Sequence, residues 1–250
     1  MFSFATKFSP EAANFEKAIF SGYQHAELHL TPTRLMSWRS LSKIARSYDM
    51  NYVLHFPTSG KVSQQTCEEI VALAQDIDCH TVTVHECDLD VALPIRKIDP
   101  GIQLAVENQR VRFDDLDSWL TANEGVTLNI EYLWENTLES CEFHELKSVL
   151  TRLFHNYGTK IRKVHLSGYR PETPAKHPLS ASKEVTEFVF DLLLNGGYQG
   201  FVVGEIDVDF QTSEMLTQDL EFFRSWKNQK GLCNLSGDFA GSSNPIPETF

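Results

Sequence analysis

The chain of 250 residues lacks the marks of several protein classes. Its five cysteines, Cys67, Cys79, Cys87, Cys141 and Cys233, are odd in number and never spaced CxxC. That excludes a fully paired disulfide framework and a zinc ribbon, and reads as reduced thiols in a cytoplasmic protein. No apolar run approaches the ~18–20 residues of a membrane span. The start, MFSFATKFSP, lacks the basic residues and long apolar stretch of a secretory leader. Positive charge is scarce: 22 Lys and Arg stand against 34 Asp and Glu, a net charge of −12. An acidic surface repels phosphate backbones at long range, which argues against nucleic acid as a partner. There is no GxSxG elbow and no Ser-His-Asp arrangement, so a serine-hydrolase reading has no support.

What is present is an alternation of two patterns. Short runs rich in Val, Ile, Leu and Phe recur at Phe2–Ala5, Ala26–Leu30, Tyr52–Phe56, Thr81–His85, Gln103–Glu107, Thr127–Glu131, Lys163–Leu166 and Phe201–Glu205. Such runs suit parallel strands buried on both faces. Between them lie amphipathic stretches at Ser9–Phe20, Thr33–Tyr48, Ser63–Asp76, Asp114–Ala122, Phe143–His155, Ser182–Asn195 and Thr212–Lys227. Ser9-Pro10 is a helix start and Asn195-Gly196-Gly197 a helix stop. The segment Cys87–Pro100 is the weak one, with a short or missing helix expected. Eight strands alternating with helices predict a single-domain α/β protein, a (β/α)8 TIM barrel over residues 1–230. A doubly wound sheet would usually carry a glycine-rich loop after its first strand, and none follows this one. Residues 231–250 shift to Gly, Ser, Asn and Pro and read as a flexible C-terminal tail.

The chemistry gathers at strand ends. The third to eighth runs finish in or contain His55, His85, Glu107, Glu131, His165 and Glu205, at gaps of 30, 22, 24, 34 and 40 residues. The second adds Glu27 within HAELHL. Barrel enzymes place their active sites at the C-terminal ends of the strands, so closure would bring these side chains around one axis. Converging carboxylates repel one another, and a divalent cation would remove that repulsion while taking the imidazoles as neutral ligands. Lys160, Arg162, Lys163, Arg170 and Lys176 form the only local basic concentration, which reads as a solvated face.

Together the segments HAELHL, LHFP, TVHE, VENQR, NIEY, VHLSGYR and GEID resemble the xylose-isomerase-like TIM-barrel superfamily, which includes sugar isomerases and epimerases and the endonuclease IV group. The resemblance implies a metal site of Glu107, Glu131, His165 and Glu205. The endonuclease IV group adds two His ligands, which here would be His55 and His85, with Glu107 bridging two ions. Three departures stand out, the first being Trp134 where the family often has a His three residues after the sixth-strand ligand. The sixth-strand ligand is usually Asp rather than Glu131, and the Asp-x-His pair of a third zinc site is replaced by Ala175-Lys176-His177.

The expected function is therefore a divalent-metal-dependent isomerase or epimerase acting on a sugar, polyol or related hydroxy-carbonyl compound. Glu107 and Glu205 would move the proton, as the resemblance implies. Arg170, His177, Trp134 and Glu27 would contact the small-molecule substrate. One or two ions of Mn²⁺, Co²⁺, Zn²⁺ or Fe²⁺ suit mixed His and carboxylate ligation. Two alternatives stay open: a dinuclear phosphodiesterase, and a degenerate barrel that binds a metabolite or a partner protein. A homo-oligomer is compatible with the sequence.

Overall fold

The computed structural model describes residues 1–170, 173 and 175–232. The expected tail therefore lies, from residue 233 onward, outside the described residues. Eight parallel strands close a barrel in chain order: β1 (Ser3–Phe8), β2 (His25–His29), β3 (Asn51–His55), β4 (Thr81–His85), β5 (Gln103–Glu107), β6 (Val126–Asn129), β7 (Ile161–Leu166) and β8 (Phe201–Gly204). β8 pairs with β1 through Phe4 against Val202 and Thr6 against Gly204.

The helices are α1 (Ala12–Phe20), α2 (Pro32–Leu35), α3 (Trp38–Ala45), α4 (Gln64–Asp76), α5 (Leu89–Ile98), α6 (Leu116–Ala122), α7 (Ile130–Tyr132), α8 (Phe143–Tyr157), α9 (Lys183–Asn195) and α10 (Ser213–Gln229). Their apolar stripes pack on the outside of the strands. Phe2, Phe4, Phe190, Phe223 and Trp226 form one aromatic cluster that closes α9 and α10 over β1. Helix α4 begins with a capping box, in which the Ser63 and Thr66 side chains each accept from the other's backbone N–H.

Three elements differ from the sequence reading. A full helix, α5, follows β4 despite Pro94 in its interior. Proline costs that helix one backbone bond, while Ala92 and Ile95 are fully buried on its inner face and hold it. β1 runs on to Phe8 instead of stopping at Ala5, which puts Lys7 at the barrel mouth. β6 stops at Asn129 instead of Glu131, because the Asn129 side chain accepts from Tyr132 N–H and caps a helical turn there.

The loop after β7 turns back on itself through a bridge between Gly168 and His177. Its far end is tied to α10 by Asp219, a fully buried carboxyl that accepts from Leu179 N–H at 2.9 Å. Burial pushes Asp219 up to about 7, against the opposing pull of that N–H. The native state thus binds this proton more tightly than the unfolded chain does, whose aspartates titrate near 3.9. The group's contribution to stability is full below about pH 4 and is lost as pH rises toward 7. Asp219→Asn should therefore stabilise the protein at pH 8 by roughly 1–3 kcal/mol in urea unfolding, with the gain shrinking at pH 5. A variant less stable than wild type at pH 8 would contradict this.

Candidate active site

The strand period of two places Thr83 and His85, Ala105 and Glu107, Thr127 and Asn129, and Lys163 and His165 on one face of their strands, toward the barrel axis, and Glu205 follows β8 in the same parity as Val203. The lower interior layer is polar and dry. Glu27, with no exposed surface, accepts from Lys163 Nζ at 2.7 Å and from Thr83 Oγ1 at 2.9 Å. Thr83 in turn meets Thr127 at 3.1 Å. Lys163 is also fully buried, so an ion pair closed off from the solvent surface forms the floor of the site.

Above it stands His165, between two carboxylates. Its Nε2 lies 2.9 Å from Glu27 Oε2 and its Nδ1 2.8 Å from Glu107 Oε1. Burial works against its charge, but Glu27, Glu107 and Glu205 outweigh that and hold its pKa at about 10. It is an imidazolium at neutral pH. Burial likewise opposes ionisation of Glu27 and Glu107, and in both the charge of His165 leads the causes that keep the carboxyl well below its usual range.

Glu107 faces two ways. Its Oε1 accepts from His165 and from Asn129 Nδ2 at 2.9 Å. Its Oε2 points instead at His85 Nε2, 3.0 Å away, and His55 Nε2, 3.4 Å away. The tautomer of His55 is set by Phe56, whose carbonyl accepts from Nδ1 at 2.9 Å. Burial, then the nearby Lys7 ammonium, push the His55 pKa down, so the ring is neutral and its Nε2 carries a lone pair. A lone pair aimed at a carboxylate oxygen is repulsive, and both His55 Nε2 and Glu107 Oε2 are buried without a hydrogen-bond partner. A cation between them resolves the conflict. Ligands at 2.0–2.2 Å from one ion sit roughly 3.0–3.5 Å apart, which matches the spacings here. An outward imidazole N–H given to a backbone carbonyl is also the usual way a metal-binding His is oriented. His55, His85 and Glu107 therefore form a group that could hold a metal ion.

The other side of the mouth is arranged differently. Glu205, just past β8, receives Lys7 Nζ on Oε1 at 2.6 Å, Lys176 Nζ on Oε2 at 2.7 Å, and Asn129 Nδ2 on Oε2 at 2.9 Å. Burial opposes ionisation of Glu205, and Lys7, Lys176 and His165 overcome it, leaving the carboxyl well below its usual pKa. The expectation that only a bound cation could make these carboxylates tolerable is thus corrected: lysines compensate Glu27 and Glu205. The basic strip is corrected with it, since Lys163 lies inside the barrel and Lys176 at its mouth.

A cavity of about 320 Å³ opens at this mouth, lined among others by Lys7, His29, His55, His85, Lys176 and Glu205. His29 bonds Thr58, and burial, with the neighbouring His55, pushes its pKa down to about 4.

Of the ten residues singled out in the sequence, the fold brings Glu27, His55, His85, Glu107, His165 and Glu205 together. The other four are placed outside that group, Glu131 at its border, 3.9 Å from Lys176 Nζ. Glu131 sits on α7, where its Oε2 accepts from Ser167 Oγ at 2.7 Å, and burial raises it to about 7. Asn129 fills the place at the end of β6 that had been expected for Glu131. Trp134 is packed against Tyr169 and donates to Cys141 O, His177 is buried against Phe210, and Arg170 is exposed. None of these three lines the cavity. Nor does Glu27, which lies beneath His165 as the counter-ion of Lys163. Sequence reasoning missed Lys7, Asn129, Lys163 and Lys176. The inward parity of Lys163, two residues before His165, was the one available signal.

No family model matches the chain, and no curated protein matches it. Solved structures do. A D-tagatose 3-epimerase-like protein superposes with a TM-score of 0.69 at 17% identity, over 92% of this chain and 100% of that one. A xylose isomerase domain protein from Planctomyces limnophilus gives 0.63 at 14%, over 93% and 99%. The D-allulose 3-epimerase from Methylomonas sp., solved with D-allulose, gives 0.57 at 11%, over 90% and 96%. The chain has the fold of the xylose-isomerase-like TIM barrels.

The buried floor makes a direct prediction. Lys163→Met leaves Glu27 ionised, dry and short of a partner, and should cost about 3–5 kcal/mol in chemical denaturation. Adding Glu27→Gln should recover much of that loss. A single variant within about 1 kcal/mol of wild type would show that the pair does not carry the floor.

Proposed function

We propose that this chain is a divalent-metal-dependent isomerase acting on a small sugar, polyol or related hydroxy-carbonyl compound. The observation that carries the reading is the meeting of His55 Nε2, His85 Nε2 and Glu107 Oε2 at the wall of a cavity of monosaccharide size. The epimerase and isomerase names among the structural neighbours agree with it. Two imidazoles and one carboxylate suit Zn²⁺, Mn²⁺, Co²⁺ or Fe²⁺. When bound by His55, His85 and Glu107, the ion would supply Lewis-acid polarisation of a substrate oxygen.

The remaining chemistry belongs to side chains. Glu205 is ionised and lines the cavity, so it is the group placed to take a proton from the carbon beside a carbonyl and return it. Glu107, expected as the second such group, is only 1% exposed and sits behind the two histidines. Asp207, the other carboxylate on the cavity wall, accepts from the Lys176 backbone N–H. One carboxylate suffices to carry a proton between adjacent carbons on one face, as in an aldose–ketose shift. Inversion of a stereocentre calls for a base on each face, so the arrangement favours isomerisation over two-base epimerisation. The dinuclear phosphodiesterase reading loses ground because the Glu205 side of the mouth is filled by lysine.

Elemental analysis should find one divalent ion per chain in wild type and none in His85→Ala. A panel of aldoses and ketoses should reveal isomerisation that chelator abolishes and that Glu205→Gln lowers by at least 10²-fold. Wild type purified from metal-replete medium without stoichiometric metal would contradict the assignment.

A further inference from the structure

Glu107, His165 and Glu205 form a second group whose ligand atoms lie within 4.8 Å of one another. By distance alone it could also take an ion. Its hydrogen bonds say otherwise. Glu107 Oε1 is met by His165 and Asn129, and Glu205 by Lys7, Lys176 and Asn129. The Asn129 amide cannot turn its oxygen inward, because Oδ1 is engaged by Tyr132 N–H at 3.1 Å. Asn108 clamps the same residue from behind, accepting from Asn129 N–H at 2.7 Å and donating to its carbonyl at 3.1 Å. The NH₂ that remains has no lone pair to give a cation.

Lys176 is held just as firmly. Asp207 N–H donates to its carbonyl at 2.9 Å, the Asp207 carboxylate accepts its N–H at 3.1 Å, and its Nζ stands 4.8 Å from the centre of the Tyr132 ring. Lys7 is fixed on β1 beside Glu27, 3.8 Å away. Both lysines line the cavity.

We propose that Lys7 and Lys176 stand in for a metal ion at the Glu107–His165–Glu205 group, and that their ammonium groups form a cation subsite for a small oxyanion in the cavity. The subsite deepens the isomerase reading. When the substrate C–H bond breaks, its proton passes to Glu205 and its electron pair forms the C=C bond, while the carbonyl π pair moves onto oxygen. Glu205 becomes neutral at that moment, and the two ammonium groups that had paired with it then face the new oxyanion. Charge is balanced before and after.

The test has two arms, both read without turnover. Metal per chain is measured for wild type, Glu205→Gln, and a triple variant carrying Lys7→Met, Asn129→Asp and Lys176→Met. Glu205→Gln should match wild type, and the triple variant should hold one ion more. In the second arm, oxalate is titrated by calorimetry into His85→Ala, alone and combined with Lys7→Met or Lys176→Met. Each lysine substitution should weaken oxalate at least tenfold. An ion lost in Glu205→Gln would overturn the proposal, as would a folded triple variant that gains none or oxalate affinity indifferent to both lysines. If the triple variant does not fold, Glu205→Gln and the oxalate arm decide. The readings fail separately: a metal-free wild type refutes the His55–His85–Glu107 assignment alone, because this proposal is read from differences between variants.

Discussion

Charge inside this barrel is tolerable only because it alternates in sign. Lys163, Glu27, His165 and Glu107 succeed one another upward from the buried floor, each within ion-pair distance of the next, and Glu205 with its two lysines joins the series at His165. Removing Lys163 leaves the fully buried Glu27 short of its nearest cation, which costs far more than the net gain of the intact pair. The chain of charges therefore does more to fix positions than to stabilise. It settles which oxygen of Glu107 is occupied and which is left open.

That single asymmetry divides the mouth. On one side, Oε1 of Glu107 belongs to an all-protein network of imidazolium, amide and ammonium groups. On the other, Oε2 faces two imidazoles, one of which carries its proton on the far nitrogen, donated to the Phe56 carbonyl. The cation-hungry site and the cation-filled site share a carboxylate and differ in chemistry. The first could hold a metal ion and the second already contains its positive charge. Glu205 stands between the second site and the cavity, kept ionised by its lysines and forming part of the cavity wall.

Much of this was legible in the sequence. The eight strands fall where the apolar runs predicted them, and the barrel rule located His55, His85, Glu107, His165 and Glu205 at one mouth. What escaped has physical causes. Lysine and asparagine normally mark solvent, so Lys163 and Lys176 were read as part of a solvated strip, and no local pattern revealed that Glu27 waited across the barrel. Lys7 was lost with the last three residues of β1. Glu131 has the inward parity of Thr127 and Asn129, and only the Asn129 cap, which turns the chain into α7, takes it out of the barrel.

The central claim is the protonation pattern of the imidazoles, and it can be read directly. In ¹⁵N-resolved spectra of the histidine side chains at pH 7.5, both nitrogens of His165 should carry protons, while His55 should be neutral with its proton on Nδ1 alone. A neutral His165, or a doubly protonated His55, would contradict the alternation of charge from which the site has been built.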